Sequence, residues 1–350
     1  MIPYWIMFIL PAGAALLEGS SKMRRINGGW IALWAILTLL IGYRFEVGGD
    51  WGGYLKSYYE TFYISLAEAL SVGDPGHSLL NWISSQQEWG VFGTNLIYGA
   101  LFSYGLIAFC RNQPRPLLAL AVAVPYLLIV VAMGYSRQGV AIGIVMLGFI
   151  ALTQRKTLKF VLLIGIAALF HKSAVILLPI SIMTNMLRKP IFTALWVVGT
   201  MGLMYLLFLA ESADSLIQNY IVAEYNSEGA LIRVMMNAVP ALLFLWYRRN
   251  FNLQPEEKAL WTWMSLMSLV FILLLAVSPS STAVDRVALY FIPIQLYVFS
   301  RLPDAMASGL HRNAISLLLV SYYAAVLFVW LNYASHSKYW IPYQFYPFVN

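Results

Sequence analysis

Charged residues are scarce in this sequence of 350 residues. Asp, Glu, Lys and Arg make up 11% of the chain, whereas a soluble domain carries roughly a quarter. Hydrophobic residues account for 61%, and the mean hydropathy is +0.72. Because the apolar residues stand in long runs, the composition excludes a soluble globular domain, a disordered chain and a fibrous repeat. It predicts a protein whose main solvent is lipid.

The sequence also lacks cysteine pairs and the common ligand-binding motifs. Its single cysteine, Cys110, excludes an internal disulfide and carries no information on the redox compartment. There is no Walker-type Gly-Lys loop, no HExxH, no CxxC and, on the face predicted to lie outside, no Asp-x-Asp or Glu-x-Asp pair. We therefore expect no bound metal and no cofactor.

Twelve stretches contain no Asp, Glu, Lys or Arg, and each predicts one transmembrane helix. They cover residues 1–17, 26–43, 89–110, 116–136, 138–154, 160–171, 173–187, 190–210, 234–247, 259–284, 287–300 and 313–337. Leu, Ile, Val and Ala fill them without alternation of apolar and polar residues, so helices are favoured over a β-barrel. The predicted fold is an all-α polytopic integral membrane protein, with residues 1–350 forming a single transmembrane domain.

The basic residues predict the orientation. With twelve spans, 15 of the 22 Lys and Arg residues fall in one set of alternate loops, and the positive-inside rule makes those loops cytoplasmic. Both termini are then predicted to lie outside, and the first span is retained because no basic region precedes it. The net charge of +7 records topology on this interpretation, so we expect no nucleic-acid partner.

Three outer segments follow from this topology: residues 44–91, 211–233 and the Tyr- and Pro-rich tail 339–350. In the first, Leu55, Tyr59, Phe62 and Leu66 recur at helical spacing, which predicts an amphipathic helix lying at the membrane interface. Asp74-Pro75 is typical of the start of a second short helix.

Several basic residues stand on the outer face against the positive-inside trend. Arg44 directly follows the second span, Arg137 precedes the fifth, and Arg286 starts the eleventh. If they converge, their guanidinium groups suit a diphosphate, because Arg pairs bidentately with phosphate oxygens. The alternatives are Arg side chains that snorkel at the interface or that pair with Asp50 and Asp285.

Four motifs around these residues occur in a specific order. They are Arg44-Phe-Glu-Val-Gly-Gly-Asp50-Trp-Gly-Gly-Tyr54, Ser136-Arg137-Gln138, Phe170-His171-Lys172-Ser173-Ala174 and Asp285-Arg286-Val-Ala-Leu-Tyr290-Phe291. Together, on a chain of this size, they resemble the EpsG/Wzy family of bacterial polysaccharide polymerases. The resemblance covers roughly residues 30–300.

The resemblance implies a GT-C-like glycosyltransferase in the bacterial inner (cytoplasmic) membrane, with its active site facing the periplasm. The lack of acidic pairs on the outer face predicts that its reaction is metal-independent. The implied donor is a growing glycan on undecaprenyl diphosphate, and the acceptor is one repeat unit on the same carrier. The product would be a surface polysaccharide such as O-antigen of lipopolysaccharide, capsule or exopolysaccharide. Membrane lipids and a chain-length regulator protein are the other implied partners.

The candidate residues suit that chemistry. Arg44, Arg137 and Arg286 would bind the diphosphate and stabilise it as it leaves. The base for the acceptor hydroxyl is either His171 or Asp50, and these two alternatives stay open; His171 can also be a polar helix end, and Asp50 a partner of an Arg. Further expected substrate contacts come from side chains in the same motifs, namely Tyr54, Gln138, Lys172 and Tyr290.

Other functions remain as alternatives. An O-antigen ligase would use the same chemistry but favours a larger outer loop than residues 44–91. A flippase or transporter for lipid-linked oligosaccharides predicts a charged central cavity and two similar halves, which the sequence does not display. A membrane O-acyltransferase would rest only on the histidine near a span end.

Overall fold

The computed structural model describes residues 1–19, 26–71, 73–185, 198–199, 202, 228–278, 280–306 and 310–349. Almost all of the predicted span 190–210 and residues 211–227 of the second outer segment lie outside these described residues. The other predicted spans can be compared directly with the structure.

Helices form nearly all of the regular structure in this part of the chain. The α-helices are α1 (Ile2–Leu17), α2 (Gly28–Gly42), α3 (Trp51–Glu60), α4 (Leu66–Ser71), α5 (Pro75–Gln86), α6 (Gly90–Arg111), α7 (Pro116–Ala123), α8 (Ser136–Thr153), α9 (Thr157–Phe170), α10 (Ile180–Asn185), α11 (Ala230–Tyr247), α12 (Pro255–Val277), α13 (Ser281–Ala288), α14 (Pro293–Phe299), α15 (Leu302–Met306) and α16 (Leu310–Tyr333). A π-helix continues α7 over Val124–Ala132, and short 3-10 helices cover Thr61–Tyr63, Lys172–Leu177, Leu289–Phe291, Ser337–Tyr339 and Tyr346–Phe348. Two short strands, β1 (Arg44–Phe45) and β2 (Gln344–Phe345), pair antiparallel.

Among the described residues, five helices are long and apolar enough to cross a membrane. They are α6, α8, α11, α12 and most of α16. A sixth span results if α13 and α14, which with the intervening 3-10 turn are bent by 42°, are counted together. Shorter apolar helices occupy Ile2–Leu17, Gly28–Gly42, Pro116–Ala132, Thr157–Phe170 and Lys172–Ile182. The predicted all-α architecture with membrane-spanning helices is confirmed, whereas the number twelve and the GT-C-like arrangement stay predictions.

The segment formed by α7 and the π-helix lies at the centre of the bundle. Nearly all of its residues are buried, and it packs against α1, α14 and α16. A π-helix is rare and often occurs beside a functional site. Here it ends four residues before α8, so it fixes the position of the turn that precedes Arg137.

Glycines allow α6 and α8 to pack backbone against backbone. The Cα of Gly105 faces the backbone of Gly143, and a side chain on Gly143 would begin 2.8 Å from the Cα of Phe102. Small residues at such crossings permit the close approach on which helix association in membranes depends. This crossing holds the α8 end that carries Arg137 in a fixed position relative to α6.

The substitution Gly143→Leu is therefore expected to destabilise the protein. Its side chain would overlap the α6 backbone, and overpacking of this kind typically costs about 1–3 kcal/mol. Thermal unfolding of the detergent-purified protein should show a clear drop in Tm. Gly165→Leu is the matched control because no atom outside the neighbouring backbone lies within 4 Å of a Cβ at Gly165. Equal effects of the two substitutions would contradict the predicted close packing.

The C-terminal tail is an integral part of the fold. Strand β2 pairs with β1 in the register Arg44↔Phe345 and Phe45↔Gln344. Trp340 is 2% exposed, and its Nε1 donates to the Ile129 carbonyl oxygen of the π-helix over 2.8 Å. The Gly48 N–H donates to the Tyr339 carbonyl oxygen over 2.8 Å. The tail, which the composition had suggested was simply an outer loop, therefore fixes the segment between α2 and α3.

Candidate functional site

A polar cavity of about 550 Å³, called cavity A here, opens between the segment 49–78, the start of α8 and the last turn of α13. Four of the predicted site residues line it, namely Asp50, Tyr54, Arg137 and Arg286. These residues come from four separate elements of the chain. The structure thus brings together two of the three predicted diphosphate-binding arginines and one of the two predicted bases.

Asp50 reaches cavity A because a tight glycine turn precedes it. Gly48 has φ +105° and lies so close to the Met133 carbonyl oxygen that a Cβ would be 2.6 Å from it. The Asp50 side chain does not cap α3, and its carboxylate forms no hydrogen bond within the described part of the chain. Burial raises the pKa of Asp50, while the positive charges of Arg286 and Arg137 act in the opposite direction.

Arg137 is oriented by a carboxylate that had been interpreted only as a helix start. Helix α5 begins at Pro75 as predicted, but the Asp74 carboxylate makes no capping bond. Instead its Oδ2 accepts from Arg137 Nη1 over 3.0 Å, and the carboxylate also accepts a hydrogen bond from the Lys172 backbone N–H. Burial is the main cause that raises the pKa of Asp74. Asp74 therefore joins α5, α8 and the turn after α9, and Tyr54 OH accepts from the Arg137 backbone N–H over 3.4 Å.

Arg286 is held by its backbone and leaves its guanidinium available. Gln138 Nε2 donates to the Arg286 carbonyl oxygen over 2.5 Å, so the first turn of α8 fixes the position of α13. The Arg286 guanidinium lies 5.6 Å from the ring centroid of Tyr135. It forms no hydrogen bond or ion pair with any residue that the structure describes, which suits a group that binds an anionic ligand.

His171 lies beside this cavity without lining it. Its Nδ1 is 2.5 Å from Ser173 Oγ and 3.2 Å from the hydroxyl of Tyr290, which is fully buried. Burial, with the charges of Arg137 and Arg286, lowers the pKa of His171 to about 3. The structure thus places His171 and Tyr290 in a hydrogen-bonded cluster next to the two arginines, separated from the wall of cavity A.

His77, in the first turn of α5, also lines cavity A but was not among the predicted site residues. Its Nδ1 is 2.7 Å from Tyr98 OH, and its Nε2 is 3.1 Å from Asn81 Nδ2 and 3.3 Å from Ser57 Oγ. Burial is the main cause that lowers the pKa of His77 to about 3. Both ring nitrogens have protein partners, so His77 fixes the packing of α5 against α3 and α6.

Arg44 is not brought to cavity A, which corrects its predicted place beside Arg137 and Arg286. It is fully buried, and each of its guanidinium nitrogens donates to the protein. Nε donates to the Met133 carbonyl oxygen over 2.8 Å and Nη1 to the Ile41 carbonyl oxygen over 2.6 Å. Nη2 reaches Ser136 Oγ at 2.5 Å and Asn95 Oδ1 at 3.3 Å. Burial lowers the pKa of Arg44 to about 10. Its position indicates a structural cation that joins α2, α6 and the start of α8.

Arg44→Met is accordingly expected to lower the stability of the protein. The substitution leaves buried carbonyl oxygens without a donor, and each such group costs about 1–3 kcal/mol. Thermal unfolding of the purified protein should show a large drop in Tm for Arg44→Met and almost none for Arg286→Ala. If Arg44→Met keeps the wild-type Tm and loses only ligand binding, the structural role is wrong.

The fold and the cavity define a multi-pass membrane protein with a cationic, carboxylate-bearing cavity at one end of its helices. The family model described as the EpsG family matches residues 30–345, and the chain belongs to that family. No curated protein and no solved structure matches the chain. The resemblance first noted in the motifs is therefore confirmed at the level of the family, which is a family of polysaccharide polymerases.

Proposed function

We propose that the protein is a glycosyltransferase that polymerises lipid-linked polysaccharide repeat units on the periplasmic side of the bacterial inner membrane. The observation that carries the proposal is that Arg137, Arg286 and Asp50 line the same cavity. Membership of the EpsG family supports polysaccharide polymerisation in general. The donor is a growing glycan on undecaprenyl diphosphate, and the acceptor is a repeat unit on the same carrier.

Arg286 is the best candidate for stabilising the leaving diphosphate. Its guanidinium binds no carboxylate of the described residues, and charge-assisted bonds from Arg to phosphate oxygens are strong and directional. Arg137 contributes a second positive charge, with one of its nitrogens kept on Asp74. Both arginines can therefore offset the negative charge that develops as the bond to the diphosphate breaks.

Asp50 is the better placed of the two proposed bases. An acceptor hydroxyl oxygen attacks the anomeric carbon, the bond from that carbon to the diphosphate oxygen breaks, and the diphosphate lipid leaves with the electron pair. The hydroxyl proton passes to the Asp50 carboxylate, which lines the cavity and accepts no hydrogen bond from a described residue. His171 Nδ1 is hydrogen-bonded to Ser173, so we propose that His171 has a structural role beside Arg137 and Arg286. Tyr54, on the cavity wall, is proposed to contact sugar. Gln138, Lys172 and Tyr290 are proposed to position other residues of the site, through their hydrogen bonds to Arg286, Asp74 and His171 respectively.

The proposed reaction proceeds without a metal ion because side-chain cations face the leaving group. Among the residues that the structure describes, no group of three His, Cys, Asp or Glu side chains is placed to hold a metal. Purified protein given lipid-linked repeat units is expected to form polymer at an unchanged rate in the presence of EDTA. An EDTA effect that Mg²⁺ or Mn²⁺ reverses would contradict this part of the proposal.

Deletion of the gene, followed by gel analysis of the surface glycan, tests the function. Loss of a polymerase is expected to leave single-repeat product and remove the ladder of longer chains. Loss of a ligase or of a flippase would instead remove repeat units from the surface altogether. A deletion strain that keeps its ladder of longer chains would overturn the proposal.

A further inference from the structure

Two further cavities adjoin cavity A on the side of α11 and α16. Cavity B, of about 470 Å³, is lined by charged and polar side chains that include Arg233, Asp285, Arg286 and Lys338. An apolar groove of about 550 Å³ runs from it along α11 and α16. These volumes are large enough to hold part of a ligand whose ends differ in polarity.

The three spaces share lining residues and so form one path. Arg286 lines both cavity A and cavity B. Cavity B and the apolar groove share Tyr135, Glu228, Arg233, Ser335 and His336. A ligand that follows this path passes from sugar-sized polar space, past a cation, into apolar space between two helices.

The walls of the apolar groove are suited to a hydrocarbon chain. Helix α11 contributes Ile232 and Met236, and α16 contributes Val326, Val329 and Trp330. Ile232 is 64% exposed and Val329 50% exposed, so a bound hydrocarbon chain would cover these exposed side chains. Both helices are among those able to span a membrane, and the groove between them therefore lies beside lipid.

The charges at the mouth of the groove favour an anionic head. Arg233 is bound to Asp285 through two hydrogen bonds of 2.7 Å and 2.8 Å, which neutralises that pair. Arg286 forms no ion pair with a described residue. Lys338 likewise has no carboxylate partner among these residues, and its Nζ lies 5.2 Å from the ring centroid of Tyr339. Glu228 also lines this mouth, and its carboxylate accepts a hydrogen bond from Ser335 Oγ over 2.6 Å. The two available cations, Arg286 and Lys338, outnumber this one carboxylate, so the place where the apolar groove meets the path to cavity A keeps a net positive charge.

We infer that the apolar groove binds the polyprenyl chain of the donor, with its diphosphate between Arg286 and Lys338 and its sugar in cavity A. The inference rests on the proposed function and adds the position of the lipid. The donor fits because its diphosphate is bonded to the reacting anomeric carbon, so both must lie beside Arg286 and Asp50. The acceptor diphosphate is separated from its attacking hydroxyl by the sugars of a repeat unit and needs a different place.

Binding of farnesyl diphosphate, a short polyprenyl diphosphate, to the purified full-length protein tests the inference. Farnesyl diphosphate should bind more tightly than inorganic pyrophosphate, because only the former fills the groove. Val329→Trp should weaken farnesyl diphosphate binding by about tenfold or more while leaving pyrophosphate binding unchanged. Arg286→Ala should weaken the binding of both.

Leu318→Trp is the matched control, since Leu318 is a 69% exposed aliphatic residue of α16 that does not line the groove. It should bind farnesyl diphosphate like the wild type. Ile232→Trp tests the opposite wall and replaces Val329→Trp if that variant does not fold. The inference would be overturned if Leu318→Trp weakened farnesyl diphosphate binding as much as the groove variants do, or if neither groove variant weakened it. It would also be overturned if farnesol, which lacks the diphosphate, displaced farnesyl diphosphate as effectively as unlabelled farnesyl diphosphate does.

The surface glycan separates this inference from the function on which it rests. If Val329→Trp cells make wild-type ladders while Arg286→Ala cells make only single repeats, the polymerase proposal stands and the groove assignment fails. If deletion of the gene leaves the ladder intact, the polymerase proposal fails. Binding of farnesyl diphosphate that is sensitive to Val329→Trp would then still identify a polyprenyl diphosphate site.

Discussion

Cells that carry Arg286→Ala are expected to make single-repeat glycan and to lose the ladder of longer chains. Removing one group that stabilises developing charge typically costs a factor of about 10²–10³ in rate. Arg286 is the cation best placed for this part because its guanidinium lines cavity A and pairs with no carboxylate in the part of the chain that the structure describes. Arg286→Lys should retain intermediate activity, since it keeps the charge and loses the bidentate geometry.

The effect of Arg286→Ala should be confined to activity. The Arg286 guanidinium lies over the ring of Tyr135, and the hydrogen bond from Gln138 goes to the Arg286 carbonyl oxygen, which the substitution keeps. The Tm should therefore stay close to that of the wild type. Arg155→Ala is a control of the same chemistry, because Arg155 is 70% exposed and pairs with Glu256 far along the chain, and such exposed pairs contribute little. Wild-type ladders from Arg286→Ala cells at normal protein levels would show that the diphosphate binds elsewhere.

Most helices could be predicted because lipid imposes a simple rule on the sequence. An uncharged stretch that crosses the bilayer must be helical, because only then are its backbone N–H and C=O groups hydrogen-bonded within the segment. Each predicted stretch other than 190–210 contains a described helix. The rule gives no lengths, however. The stretch 173–187 forms a 3-10 helix (Lys172–Leu177) followed by the short α10, because packing among neighbouring helices decides how a short apolar segment winds.

The convergence of Arg137 and Arg286 was predictable from their positions at span ends on one face. The different place of Arg44 was not, because its hydrogen-bond acceptors are scattered along the chain. The Met133 carbonyl oxygen and Ser136 are about 90 residues away, and Asn95 is about 50 residues away. A sequence shows that an arginine stands at the membrane edge, but only tertiary structure shows whether it turns inward to protein oxygens or outward to a ligand.

Two other features of the site were hidden for related reasons. Asp74 carries a strong local signal for a helix start, and that signal concealed its ion pair with Arg137. The tail 339–350 has the composition of an interfacial loop, yet its strand pairing and the burial of Trp340 depend on partners near the opposite end of the chain. Local pattern predicts local structure well, whereas contacts between distant segments need the fold.

Asp50→Asn is expected to reduce polymer formation by about 10²–10⁴-fold, the usual contribution of a general base. The amide has nearly the same size, and Asp50 caps no helix with its side chain, so the protein should fold normally. Rates should be measured with purified protein and lipid-linked repeat units. His171→Ala is expected to reduce the rate less than Asp50→Asn, since Asp50 alone of the two lines cavity A. The opposite ranking would assign the base to His171.

The pH dependence gives a second, independent test of Asp50. A carboxylate base works only when ionised, so the rate should rise with pH through the pKa of Asp50 and then level off. Burial raises that pKa above its ordinary value of about 3.9, and the charge of Arg137 opposes the rise. Arg137→Gln removes this opposing charge, so its acid limb should move to higher pH, whereas Arg137→Lys should keep the wild-type limb. If the fall in rate at low pH occurs at the same pH in Arg137→Gln as in the wild type, or is still present in Asp50→Asn, another group takes the proton.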